Sequence, residues 1–399
     1  MSMTRANKSW WFSHTLKHTA RPQGRRSRPR LQVELLEGRN LPAPLTWAPG
    51  ASLPAGRGGV VAAVQGSNIL VFGGTTTDVT SVSATDPTWQ ASVSADPSVD
   101  AARETPGVGI LPDGFVLFFG GRGNGSALFS ADHYDLNGNP DGDTPVNSPA
   151  AGMNSSRLRF GSATDANNHI YAIGGIGSSS NGGDGGGGPD APLSSVEYYT
   201  QSTDTWTSIA SLPQTLYSES AVADGNGHVF TFGGVDSTGA ITSTVYRYTI
   251  STNTWDTVAS LPVAVRDSAA VLANGKIYVL GGRTATGATA AVESYNPTTN
   301  TWTTETALPS PVYGEAAAVD SLGRIETLGG FDTSGNGTAA VSISQELSNP
   351  DAAPAITSVA NPAASWGNLY HYQVLSTANP QFCHRTDQLD AERFPAWFL

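Results

Sequence analysis

Residues 275–282 read GKIYVLGG: a turn, four strand-forming residues, and two glycines. The same phrase recurs along the chain. SNILVFGG ends at Gly74, GFVLFFGG at Gly121, NHIYAIGG at Gly175, GHVFTFGG at Gly234 and GRIETLGG at Gly330. Successive second glycines are 47, 54, 59, 48 and 48 residues apart. A repeat of roughly 50 residues with strand-like content describes a small sheet used over and over. One such sheet cannot bury both of its faces alone, so each needs a neighbour on either side.

The unit around 275–282 is the cleanest. Ser268 to Leu272 is a short apolar run ahead of the Asn274-Gly275 pair, a two-residue hairpin signal. Ile277 to Leu280 follows as a continuous apolar strand, the pattern of a strand covered on both faces. Gly281-Gly282 end it where a bare backbone bends and packs closely. Val292 to Tyr295, the turn Asn296 to Asn300 and a strand from Trp302 complete four antiparallel strands. VYRYTISTNTW repeats the last part with Tyr248 and Trp255, and VEYYTQSTDTW with Tyr199 and Trp206. The glycine pairs and the Tyr–Trp spacing make residues 45–350 resemble a kelch-repeat β-propeller. The resemblance implies an all-β, six-bladed ring in which these residues pack, each Trp filling the wedge between blades. Blade one keeps Trp89, while blades two and six lack the Trp. Leu45-Thr46-Trp47 through Leu53-Pro54 matches Thr301-Trp302 through Leu308-Pro309. The N-terminal strand is therefore expected to complete blade six and close the ring, removing an exposed edge.

The ends read differently. Residues 1–44 are expected to be a basic, largely disordered export or anchor segment. The first 45 residues carry nine Lys/Arg and two Glu; their +7 within a total of −12 leaves −19 for the body. That body would repel nucleic acid. Trp10-Trp11-Phe12 is too short for the apolar region of a secretory signal, and Arg25-Arg26 lacks the apolar stretch of a twin-arginine signal. Leu36-Glu37-Gly38-Arg39, followed by Leu41, resembles the LEPR-type segment of bacterial surface and secreted proteins, which implies extracellular or cell-surface placement. Residues 351–399 open like an Ig-like or cadherin-like module (Ile356-Thr357-Ser358, Gly367, Tyr370, Tyr372, Val374) but are too few for a sandwich of roughly 100 residues. They read as a truncated stub and tail with Cys383, the single cysteine, exposed; no internal disulfide framework is possible. No run of 18 or more apolar residues predicts a membrane span.

Candidate chemistry concentrates on one face. Loops after each glycine pair share a face with loops after each SLP, because the inner strand starts where the second strand ends. Aligning the inner-strand starts gives Arg57, Arg103, Arg159, Tyr217, Arg266 and Tyr313, each 15 to 17 residues before its first glycine. These are read as a six-membered ring near one channel mouth, with Glu104, Glu219, Asp267 and Glu315 beside it and Arg122 and Arg283 on the same face. Two readings stand. The arginines pair with carboxylates or carbonyls and brace neighbouring blades, or they capture an anionic or polyhydroxylated ligand through forked hydrogen bonds.

Other motifs carry less. Asn137, Asn139, Asp141 and Asp143 alternate as in a Ca²⁺ loop, but position twelve is Ser148 where a bidentate Glu is required, so a polar turn is expected and no metal. The glycine-rich insertion Ile176 to Pro192 is a solvated loop or a lid over the mouth. The seven histidines do not assemble into a metal site: His169 and His228 read as exposed turn tips and His133 stands alone. Copper radical oxidases share this propeller but require two His, two Tyr and a Cys crosslinked to one Tyr; Cys383 lies outside the repeats, which excludes that activity.

The reading is a monomeric binding module without cofactor that recognises glycan or protein through one face. The alternatives are an enzyme resembling the kelch-type sialic acid mutarotases, with Glu219, Glu315 and Arg266 as catalytic candidates, or a structural bead in a surface array. Fold alone does not choose among them.

Overall fold

The computed structural model describes residues 45–74, 79–83, 86–92, 103–123, 126–134, 147–177 and 191–345. Residues 1–44, the 137–143 loop, most of the Ile176 to Pro192 insertion and residues 346–399 with Cys383 lie outside the described residues.

The described chain is all-β apart from one short 3-10 turn at Gln201–Thr203. Among the described residues six sheets have four strands each, every pair antiparallel. The inner strands are Val60–Gln65, Gly107–Ile110, Gly161–Thr164, Ser220–Ala223, Ala269–Ala273 and Ala316–Val319. Each neighbours the next, and the sixth neighbours the first. Five sheets follow the chain from inside outward. The sheet begun by Ala316–Val319 instead takes its fourth strand from the other end of the chain: Trp47–Pro49 pairs with Val341–Ser344, Trp47 opposite Ser344. This is a β-propeller whose ring is closed by the N-terminal strand.

Burial follows the radius. Ile277 to Leu280 on the second strand of blade five are all buried, whereas Thr301–Thr304 on its outer strand is almost entirely open. The buried side chains form one apolar cluster per seam between blades. Phe119, Phe160 and Trp206 join blades two and three; Phe230, Phe232, Ile277 and Tyr295 join blades four and five; Leu70, Phe72 and Val116 join blades one and two. The core is thus a wheel of seams, which is why no blade is stable without its neighbours.

Two devices fasten the seams. At the perimeter, the Trp and the turn before it clasp the preceding blade. Asp204, Asn253 and Asn300 sit at φ of 48°, 52° and 55°. Their side-chain oxygens accept a hydrogen bond from the Tyr of their own blade (Tyr199, Tyr248, Tyr295, at 2.8–2.9 Å). The same oxygens accept from the N–H of Ala151, Ala210 and Ala259 on the blade before. The carbonyls of those alanines accept from Trp206, Trp255 and Trp302 Nε1 at 2.7–2.8 Å. Trp47 repeats the clasp across the closing seam, donating to the Thr306 carbonyl at 2.9 Å. Trp255→Phe keeps an aromatic ring beside Tyr248 and leaves the Ala210 carbonyl unpaired. It should cost about 1–2 kcal/mol by urea denaturation; an unchanged midpoint would show that packing alone fastens the seam.

Near the axis, the second glycine of five of the six pairs donates to the lead-in of the next blade: Gly121 to Arg157 O, Gly175 to Leu216 O, Gly234 to Val265 O, Gly282 to Val312 O and Gly330 to Arg57 O, each at 2.8 Å. Both glycines of a pair have positive φ, 62° and 93° at Gly233 and Gly234. A Cβ on Gly233 would strike the Val265 carbonyl oxygen.

Candidate functional site

The lead-in to each inner strand carries three successive positions that point to three different places. The first faces the seam: Arg57, Arg103, Arg157, Leu216, Val265 and Val312. The second pairs with the residue after the glycine pair: Glu104 bridges Arg122, Leu158 bridges Ile176, Arg266 bridges Arg283, Tyr313 bridges Phe331, and Tyr217 pairs with Val235. These bridges put the two sets of loops on one face. The third stands at the mouth: Gly59, Thr105, Arg159, Ser218, Asp267 and Gly314, all with φ between 50° and 69°.

The third positions are tied into a closed ring. Gly59 N–H donates to Gly314 O, Gly314 to Asp267 O, Asp267 to Ser218 O and Ser218 to Arg159 O. Arg159 N–H donates to Thr105 Oγ1 at 3.1 Å, and Thr105 N–H returns to Gly59 O. Below this collar a channel of about 450 Å³ runs along the inner strands. Small and apolar residues such as Val61, Val108, Ala221 and Ala317 line it.

The expected six-membered ring of equivalent positions therefore does not form. Residues 15 to 17 places before the first glycine span all three positions. Arg57 and Arg103 belong to the first position and are 2% exposed, inside the seam. Arg103 donates to Gly120 O, Ser130 O, Ser130 Oγ and Asp132 Oδ2, the last at 2.6 Å. Their equivalent in blade three is Arg157, not Arg159. Arg157 donates to Gly174 O at 2.7 Å, Ser195 O at 2.8 Å and Glu197 Oε1 at 2.9 Å from its terminal nitrogens. Burial pulls this guanidinium below its ordinary value, with Glu197 opposing. The sequence signal was present: Arg157 stands 17 residues before Gly174 as Arg103 does before Gly120.

What remains at the mouth is Arg159, exposed, and Asp267, whose Oδ2 lies 2.8 Å from Nη1 of the neighbouring Arg266. Arg283 lies over the Tyr313 ring, 5.3 Å from its centre, and that ring packs on Phe331. Arg122 and Glu104 are exposed on the same face, and Tyr217 is half-buried.

Glu219 and Glu315 hold a fourth position, one residue past the collar, beneath the glycine pair of the preceding blade. A Cβ on Gly174 would lie 2.5 Å from Glu219 Oε1, and one on Gly281 would strike Glu315 Oε1. Burial pushes the Glu219 carboxyl up to about 8, against hydrogen bonds from its own N–H and that of Gly161 and the Arg157 charge, with Asp267 adding to the rise. Burial, and then Asp267, also holds Glu315 well above the carboxylate range.

At the far end of the channel His169 and His228 are not free tips. Their Nδ1 atoms lie 3.1 and 2.8 Å from Asp165 and Asp224 Oδ2, and Arg324 repeats the pairing on Asp320. His133 is not alone either, since its Nε2 is 2.9 Å from Tyr199 OH. Among the described residues no three His, Cys, Asp or Glu form a metal-binding group, and no helix is long and apolar enough to cross a membrane.

Ring closure, paired glycines and the Tyr–Trp clasps define a β-propeller of kelch repeats. Comparison agrees. A family model described as the KLHDC2/KLHL20/DRC7 Kelch-repeats domain matches residues 160–342. Among solved structures, one titled "Structure of YjhT" is similar at a TM-score of 0.61 and 13% identity, covering 74% of this chain and 96% of that one. At that identity the likeness is one of fold. No curated protein matches the chain.

Proposed function

We propose that the chain is a six-bladed kelch binding module that takes a glycan at the collar face. One observation carries the reading: Arg159 and Asp267 line the opening of a channel of about 450 Å³, Arg266 pairs with Asp267, and the Arg283–Tyr313 stack stands on the same face. Forked guanidiniums and an aromatic plate are the groups that hold hydroxyls, carboxylates and sugar faces. Kelch propellers also serve as protein-binding modules, and a protein ligand would use the same face. Extracellular or cell-surface placement goes with this reading through the Leu36–Arg39 resemblance, and fractionation of the expressing cells tests it.

The full chain on a glycan array that includes sialylated and uronic-acid sugars, with Arg159→Asn and Arg266→Ala beside it, tests the site. Asparagine tolerates the positive φ at 159, so that variant should melt as the parent does. Binding should fall at least tenfold in both variants, the loss of a charge-assisted contact worth about 1.5–3 kcal/mol. An array without signal, or variants that bind like the parent, would move the search to protein partners.

A second reading, a mutarotase-like enzyme, has Glu219 in its favour: a carboxyl beside the channel with a pKa near 8 can exchange protons at neutral pH. NMR exchange between sugar anomers, with and without the protein, decides it.

A further inference from the structure

On four blades the fourth position of the lead-in fills the hollow under the preceding blade's glycine pair. Pro106 lies under Gly73 and Phe160 under Gly120. On blades four and six the same hollow holds Glu219 and Glu315, 5% exposed each. Glu219 Oε2 and both Glu315 oxygens are closed to solvent and meet no hydrogen-bond partner among the described residues; Glu219 Oε1 accepts a long bond, 3.3 Å, from Gly161 N–H. Seams this dry accept a neutral carboxylic acid and reject a carboxylate. Beside each acid runs the bond that closes its seam, Gly175 N–H to Leu216 O and Gly282 N–H to Val312 O.

We propose that Glu219 and Glu315 are proton-operated latches: the seams between blades three and four and between blades five and six close around the neutral acids and loosen when these ionise, opening the collar at Ser218, Asp267 and Gly314. This device goes beyond the binding role and stands without it.

The surroundings set the sign. Glu219 faces the Arg157 charge from blade three, already committed to Glu197, and Asp267 from blade five; Glu315 faces Asp267. Asp267 is held by Arg266 at the mouth. Asp267 therefore opposes ionisation of both acids from between them. In a closed seam Glu219 titrates near 8, and in an open, hydrated one near the ordinary 4.5. Closure is thus complete below the lower value, weakens as pH rises between the two, and is weakest above the higher one.

Amide hydrogen exchange on the full chain, corrected for the intrinsic pH dependence, tests this with internal controls. Gly175 and Gly282 N–H close the two acid seams. Gly121 and Gly234 N–H make the same bond at seams whose fourth position is Phe160 or Ser268. Protection at Gly175 should fall by roughly tenfold per pH unit between pH 5 and 8 and then level off, with Gly282 following and the two controls flat. The Glu219→Gln/Glu315→Gln double variant, neutral at every pH, should be flat at all four. Equal slopes at acid and control seams would overturn the proposal, as would a slope that survives in the double variant. The parent protein decides the first point even if the variant does not fold.

Discussion

Arg157→Met is expected to lower the stability of the propeller by about 3–5 kcal/mol, the range for removing one partner of a buried ion pair. Arg157 and Glu197 each have side chains 1% exposed, and their closest approach is 2.9 Å. Methionine fills a similar volume but cannot donate to Gly174 O, Ser195 O or Ser195 Oγ. Glu197 keeps the backbone N–H groups of Asn154 and Ser155, at 2.7 and 3.3 Å, but loses its cation. A carboxylate sealed in the seam without its cation is the costly species, so Arg157→Met/Glu197→Gln should recover much of the loss. Urea denaturation of the two single variants and the double one gives the coupling directly. Additive losses would mean that the two side chains do not depend on each other. Arg159→Asn, two residues away but at the mouth, should leave the midpoint where it was.

That contrast between 157 and 159 marks how far the sequence could be read. The period of the glycine pairs, the Asn-Gly hairpin and the Tyr–Trp spacing led to the propeller because each is a local consequence of one four-stranded unit. The closing strand was legible for the same reason, since Thr46-Trp47 repeats Thr301-Trp302. The site was harder because it depends on register. In a lead-in with left-handed residues at its third position, moving one residue changes the destination of a side chain from seam to loop to mouth. Residues with positive φ such as Arg159 and Asp267 carry no mark of it, as arginine and aspartate serve all three destinations. The histidine pairs escaped notice because Asp165 and Asp224 lie four residues before their partners, across a turn whose folded shape alone brings them together. Seam acids look like any other glutamates in the sequence; only the glycine pair of a different blade, some 45 or 34 residues earlier at Gly174 and Gly281, makes their surroundings dry.

Gly233→Ala is expected to be about as damaging, at roughly 3–5 kcal/mol, for a reason confined to the backbone. Three contributions add. A residue with a Cβ in the left-handed region costs about 1–2 kcal/mol, and Gly233 sits at φ 62°. Forcing a methyl against a packed neighbour costs about 1–3 kcal/mol, and here the neighbour is the Val265 carbonyl oxygen, which has no rotamer to change. That carbonyl also accepts the seam-closing bond from Gly234 N–H at 2.8 Å, worth about 0.5–1.5 kcal/mol if displaced. By contrast Gly275→Ala, at φ 73° in the hairpin turn, meets nothing within 4 Å. It should cost only the backbone strain. A midpoint for Gly233→Ala no lower than that for Gly275→Ala would mean that the seam yields to the added methyl. The glycine pairs would then serve turn geometry alone and not the approach of one blade to the next.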